Sequence, residues 1–150
     1  LHFIILTVGL FNKKYLSKIN YKKRKLEEKD FDLLSNFLNK RPVTVSPQIL
    51  AETCNIIENR LGNNLFSNYM EKIKSFLKEK TIEIYENKDK LLDIKEINKF
   101  GFADISVYAI CDAKDQIIVG DFPLHGLCMK EKKNVILLDQ ILYPKWTMLN

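Results

Sequence analysis

At 150 residues, with 46% hydrophobic and 29% charged residues, the chain is long enough for one domain with a real core, and its composition excludes a disordered protein. A formal charge of +5 suits a polyanionic partner without requiring one. Three cysteines (Cys54, Cys111, Cys128) without CxxC spacing and two distant histidines (His2, His125) argue against a disulfide frame and against zinc; they point to free thiols in a reducing compartment such as the cytoplasm.

The first eleven residues, LHFIILTVGLF, are an apolar run that suits a buried helix or a strand, since periodicity cannot separate the two over so short a stretch. The run lacks the basic start and cleavage pattern of a signal peptide and is far short of a membrane span, so no membrane association is expected. With no initiator methionine, the sequence reads as beginning partway through a longer chain. The lysine-rich segment 12–25 reads as a loop or a solvated helix end. Residues 27–40 predict a helix, with Phe31, Leu34, Phe37 and Leu38 at spacings of three and four, ended by Arg41 and Pro42.

PVTVS (42–46) predicts a short strand. A helix follows over about 47–61, with Ser46 as N-cap, Pro47 at the first helical position and Gly62 as the stop. Another helix is expected over 65–79. TIEIYE (81–86) alternates as a half-buried strand does. A short helix over 88–98, stopped near Gly101, precedes a helix at 102–113, strand QIIVG, a helical stretch near 123–132 and strand NVILL. The tail YPKWTMLN carries no readable pattern. The last third is thus an αβαβ succession with short links, the pattern of a parallel sheet covered by helices.

In such a sheet chemistry gathers at the carboxyl ends of the strands, and three acids face one cleft in some registers of the chain. Asp121 directly follows QIIVG. Glu52 lies in the second turn of the helix after PVTVS, on the flank of a stripe formed by Ile49, Thr53, Ile56 and Ile57. Asp104 opens the helix before QIIVG. Each also has an ordinary structural reading: a helix-start acid favoured by the dipole for Asp104, a turn residue for Asp121, a solvated flank for Glu52.

Taken in order, the segments SPQILAETCNII, KFGFADISVYAI and IIVGDFPL resemble the second, third and fourth acidic motifs of the PIN domain family of metal-dependent nucleases. The resemblance covers nearly the whole chain and implies a three-layer α/β/α domain, 1–150, with a mainly parallel central sheet. It implies an endoribonuclease in which Glu52, Asp104 and Asp121 are catalytic and bind Mg²⁺ or Mn²⁺, directly or through water, and in which a metal-activated water hydrolyses RNA. Hard divalent ions take oxygen ligands, and Mg²⁺ commonly uses one or two carboxylates with waters and phosphate oxygens. By the same analogy the protein is a toxin beside a small antitoxin-like partner, and a homodimer is an option.

Two departures stand out. Val119 occupies a position where the family often has Ser or Thr. The family's first motif, a strand ending in Asp-x-Asn or Asp-x-Thr, is absent, so the first strand and the central acid are expected before Leu1. Without that strand, its neighbours expose unpaired edges unless something else fills the gap. The basic run Lys22, Lys23, Arg24 and Lys25 is a candidate track for the RNA backbone, with Tyr15 and Tyr21 as candidate stacking residues; a solvated charged loop is the plainer reading. The competing functions are a catalytically inactive PIN-fold module that binds RNA or protein, and an unrelated α/β domain in which the three carboxylates never meet.

Overall fold

The computed structural model describes residues 1–21 and 23–144. The protein is mixed α/β and mostly helical, and its residues form two compact units: Leu1–Val43 with Thr53–Thr81, and Thr44–Glu52 with Ile82–Asn150. No helix among the described residues is long and apolar enough to cross a membrane.

The first unit is built on helix α1 (His2–Asn12), whose residues Phe3 to Gly9 are all buried. A run that is apolar all round can be stable in water only when covered on every side, which settles the helix-or-strand ambiguity of the sequence. Helix α2 (Glu28–Leu38) packs on α1, starting at a reciprocal capping box between Glu27 and Asp30. The approach is close because position 9 has no side chain: a Cβ on Gly9 would overlap the Phe31 ring, with Cε2 at 2.8 Å. Helix α4 (Asn63–Lys80) covers α1 on another side, burying Tyr69 and Ile73. There the Tyr69 hydroxyl donates to Thr7 Oγ1 at 2.9 Å, and Thr7 Oγ1 donates to the Phe3 carbonyl at 2.9 Å. Burial also holds the Tyr69 phenol well above the ordinary tyrosine range.

The lysine-rich segment is not the plain loop or solvated helix end expected. It forms a 3₁₀ turn (Lys13–Lys18) and an antiparallel hairpin of β1 (Asn20–Tyr21) and β2 (Arg24–Lys25). Leu16, Ile19 and Leu26 are completely buried, so the lysines ride on a segment pinned by three apolar anchors.

Helix α3 (Pro47–Leu61) begins in the second unit and ends in the first. Its bounds agree with the sequence reading, and Gly62, at φ 78°, makes the turn into α4. Strand β3 (Val43–Val45) pairs with β4 (Thr81–Glu83), and in the second unit the Ile84 amide donates to the Val45 carbonyl at 3.0 Å. The ladder is shorter than the six residues expected, and Ile82, Ile84 and Tyr85 are all exposed instead of alternating.

After the short helix α5 (Lys88–Leu92), α6 (Ile97–Ile110) runs through a break at Gly101, φ 76° and ψ 179°. The expected helix over 88–98 therefore stops early, and its last residues belong to the next one. Strands β5 (Ile117–Val119) and β6 (Val135–Leu137) pair in parallel, joined by α7 (Phe122–Lys130) in a βαβ unit; α8 (Leu138–Leu142) follows β6. Ile117, Val119, Leu124 and Cys128 form its core, with Phe100, Val107 and Tyr108 of α6 packed against it.

Among the described residues the strands do not join into the single central sheet expected. The described strands make separate two-stranded pairs, and none of them joins β3–β4 to β5–β6.

Candidate carboxylate site

All three candidate acids belong to the second unit. Their positions are set by helix ends. Ser46 precedes α3, and its Oγ accepts the Ile49 amide at 3.2 Å, the N-cap geometry that the Ser-Pro pair predicts. The same Oγ lies 2.6 Å from Ser106 Oγ, buried, and Ser106 Oγ donates to the Ala103 carbonyl at 2.7 Å. Because the Ser106 proton is committed to Ala103, the Ser46 hydroxyl is the donor between the two serines. This relay fixes the start of α3 against the restarted part of α6.

Asp104 lies two residues before Ser106, in the first turn after the break at Gly101. The positive φ at Gly101 ends one helical segment and lets another begin, so Asp104 sits among the free amides of a new N-terminus and is half-buried. Glu52 is exposed on α3. Six residues separate it from Ser46, about 9 Å of helical rise. Asp121 is half-buried at the carboxyl end of β5, as expected, and caps α7: its Oδ1 accepts the Leu124 amide at 2.9 Å. A carboxylate retains other lone pairs after such a bond, so capping and ligation can coexist at Asp121.

Local electrostatics follow from this packing. Burial pushes the Cys128 thiol up, with a further push from the Asp121 carboxylate. Cys111 is pushed up to about 11, first by burial and then by Asp115. Lys133 Nζ donates to the Cys111 carbonyl at 3.0 Å and lies 4.7 Å from the Tyr108 ring centroid. Lys133 pulls both thiols the other way, but burial outweighs it and the neutral thiol is favoured at each.

Among the described residues, no group of three or more His, Cys, Asp or Glu side chains is placed to hold a metal ion. The acids share one compact unit, and Asp104 is tied to the start of α3 through Ser106, but they do not by themselves complete a centre. Carboxylate oxygens are the donor type that Mg²⁺ and Mn²⁺ take.

Two residues that the sequence reading passed over stand beside the acids along the chain. Phe102 is 45% exposed and Phe122 is 74% exposed, each within two residues of a candidate acid. Only their exposure marks them out. The basic run belongs to the first unit. Lys23, at φ 66°, and Lys25 are exposed and Arg24 is half-buried, whereas Lys22 and the Tyr21 side chain lie outside what the structure describes. Tyr15 is stacked on Phe11 at 5.3 Å with Lys18 5.0 Å from its ring, so one face is already taken by the protein.

Comparison of the chain with protein-family models, with curated proteins and with solved structures gave no match.

Proposed function

We propose that this protein is a metal-dependent endoribonuclease of PIN-like type, with Glu52, Asp104 and Asp121 as oxygen ligands for Mg²⁺ or Mn²⁺. The observation that carries the reading is the placement of the acids. One follows a strand on a capped helix, one opens a helix after a glycine break, and one caps the helix leaving a parallel strand, all in one compact unit. A bound divalent ion would supply an activated water and charge neutralisation at the scissile phosphate. The chain's own contribution is to hold carboxylates on rigid helix starts, with the Ser46–Ser106 relay fixing the turn that carries Asp104. Exposed Phe102 and Phe122 offer aromatic faces on which unpaired bases stack. The reading needs one more converging acid, borne by a strand between the two pairs β3–β4 and β5–β6. An antitoxin-like partner and a homodimer belong to the same proposal.

The test measures Mn²⁺ binding by calorimetry and Mn²⁺-dependent cleavage of a single-stranded RNA. Both are compared between the intact protein, with the further acid in place, and its Asp104→Asn and Phe122→Ala variants. The proposal expects Asp104→Asn to lose Mn²⁺ binding and cleavage, and Phe122→Ala to keep the metal while RNA affinity falls by about 1–3 kcal/mol. Unchanged Mn²⁺ binding in Asp104→Asn would remove that residue from the centre. RNA binding without metal binding or cleavage in the intact, unaltered protein would favour the inactive RNA-binding module.

A further inference from the structure

The first unit contains a feature that the nuclease reading does not use. A cavity of about 360 Å³ opens between the ends of α2 and α4, at the small end of the range of about 300–1,000 Å³ typical of ligand sites. Its apolar wall is Leu6, Leu38, Val43 and Phe76. Its charged lining is Lys40, Arg41 and Lys80, and no carboxylate lines it. Each of these cations is exposed.

Part of this pattern has an ordinary cause. Lys80 lies in the last turn of α4, where the helix dipole favours a cation, and Lys40 and Arg41 directly follow α2. The dipole does not explain why all three line one apolar cavity. Lys80 is placed by α4, and the turn after α2 brings Lys40 and Arg41 to the same cavity, with Asn39 and Lys40 both at positive φ, 43° and 61°. The turn is held by the Asn39 amide on the Ser35 carbonyl at 3.0 Å and the Arg41 amide on the Leu38 carbonyl at 2.8 Å. Two successive non-glycine residues in that region are costly, and such strain gathers at ligand clamps. An apolar wall beside three cations matches a molecule with an apolar body and an anionic end.

We propose that this cavity binds a small amphiphilic anion, an apolar chain or ring carrying one terminal carboxylate or phosphate. The apolar part fills the space against Leu38, Val43 and Phe76, and the anionic end lies among Lys40, Arg41 and Lys80. Arg41 offers a planar fork that matches either head group in bidentate fashion. The site is independent of the carboxylates and of any metal.

The experiment titrates the full chain with decanoate, decyl phosphate, decanol and decyltrimethylammonium. Amide shifts of Leu38, Val43 and Phe76 are followed by NMR, and Kd values are taken from the same titrations. The expected result is that decanoate or decyl phosphate binds at least tenfold more tightly than decanol, that the cation does not bind, and that the tighter of the two anions identifies the head group. A Lys40→Glu/Arg41→Glu variant, checked for folding by the unchanged spectrum of the remaining residues, should lose at least tenfold in anion affinity and keep its affinity for decanol. Equal binding of decanoate, decyl phosphate and decanol, or no binding of either anion at millimolar concentration, would overturn the proposal. So would a single-stranded oligonucleotide that shifts the same amides more tightly than either anion, because the cations would then belong to an RNA surface.

Discussion

Gly9→Ala puts two physical effects in direct opposition. In an exposed helix interior, alanine is favoured over glycine by about 1 kcal/mol, because glycine loses more backbone freedom on folding. At position 9 the added methyl would overlap Cδ2 and Cγ of Phe31. Cγ is bonded directly to the Phe31 Cβ, so it can yield only by rotating the whole ring or by separating α1 from α2. Overpacking of this kind costs about 1–3 kcal/mol, and the involvement of an atom so near the backbone argues for the upper end. Taking about 3 kcal/mol against a gain of about 1 leaves a net loss of about 2 kcal/mol. In urea denaturation with a slope of about 2 kcal/mol/M, the midpoint falls by about 1 M with the slope unchanged. Gly126→Ala, in α7, is the internal control: nothing lies within 4 Å of its added Cβ, and it should stabilise by up to about 1 kcal/mol. In a Phe31→Ala background, Gly9→Ala should also become stabilising, since the overlapping ring atoms are gone. A Gly9→Ala midpoint equal to or above that of the unaltered protein would refute the account of α1–α2 packing.

Three further outcomes follow from the hydrogen bonds and the buried thiols. Tyr69→Phe should cost about 1 kcal/mol, because Thr7 Oγ1 keeps its bond to the Phe3 carbonyl; Thr7→Val should cost about 1–3 kcal/mol, because it strands a buried phenol. The two changes should be non-additive when combined in a urea double-mutant cycle, and strict additivity would contradict the shared bond. Ser46→Ala removes both a helix cap and the donor to Ser106, so its thermal destabilisation, about 1–2 kcal/mol, should exceed that of Ser106→Ala, which leaves the cap intact. For Cys111, the fold favours the neutral thiol up to about pH 11, against an ordinary value of 9.0. Iodoacetamide labelling of the folded protein should therefore be slow at pH 8 and still rising beyond pH 9, and a native plateau by pH 9 would contradict the burial. The matching contribution to stability is present below the unfolded thiol's value and lost as pH rises towards the folded one.

Much of the element map was readable because local chemistry and the fold agree. Ser46 and Pro47 specify the start of α3, Gly62 its end, and the succession IIVGDFPL to NVILL specifies β5, α7 and β6. The failures have physical causes. The charge of the lysine-rich segment hides Leu16, Ile19 and Leu26, whose burial depends on distant partners. TIEIYE has the period of a half-buried strand, but a three-residue ladder leaves Ile82, Ile84 and Tyr85 in solvent. The helix expected over 88–98 ends at Leu92 and the next already begins at Ile97, and of the two breaks only the one at Gly101 was marked by its residue. At the candidate site, sequence placed Asp104 at a helix start, Asp121 directly after a strand and Glu52 on a flank. It could not show that Asp121 caps α7 through its side chain, nor that two buried serines sixty positions apart share a proton relay.

The division of the chain has a consequence for anyone who would cut it. The path passes from one compact unit to the other after Val43, after Glu52 and after Thr81, the second time in the middle of helix α3. Neither unit is therefore a genetic module. No single truncation or recombination point delivers one of them whole, and a fragment beginning at Ile82 would carry Ser106 without the hydroxyl that bonds to it. Fragment complementation, with the missing stretches supplied in trans, is the form in which such interleaved halves can be separated and rebuilt.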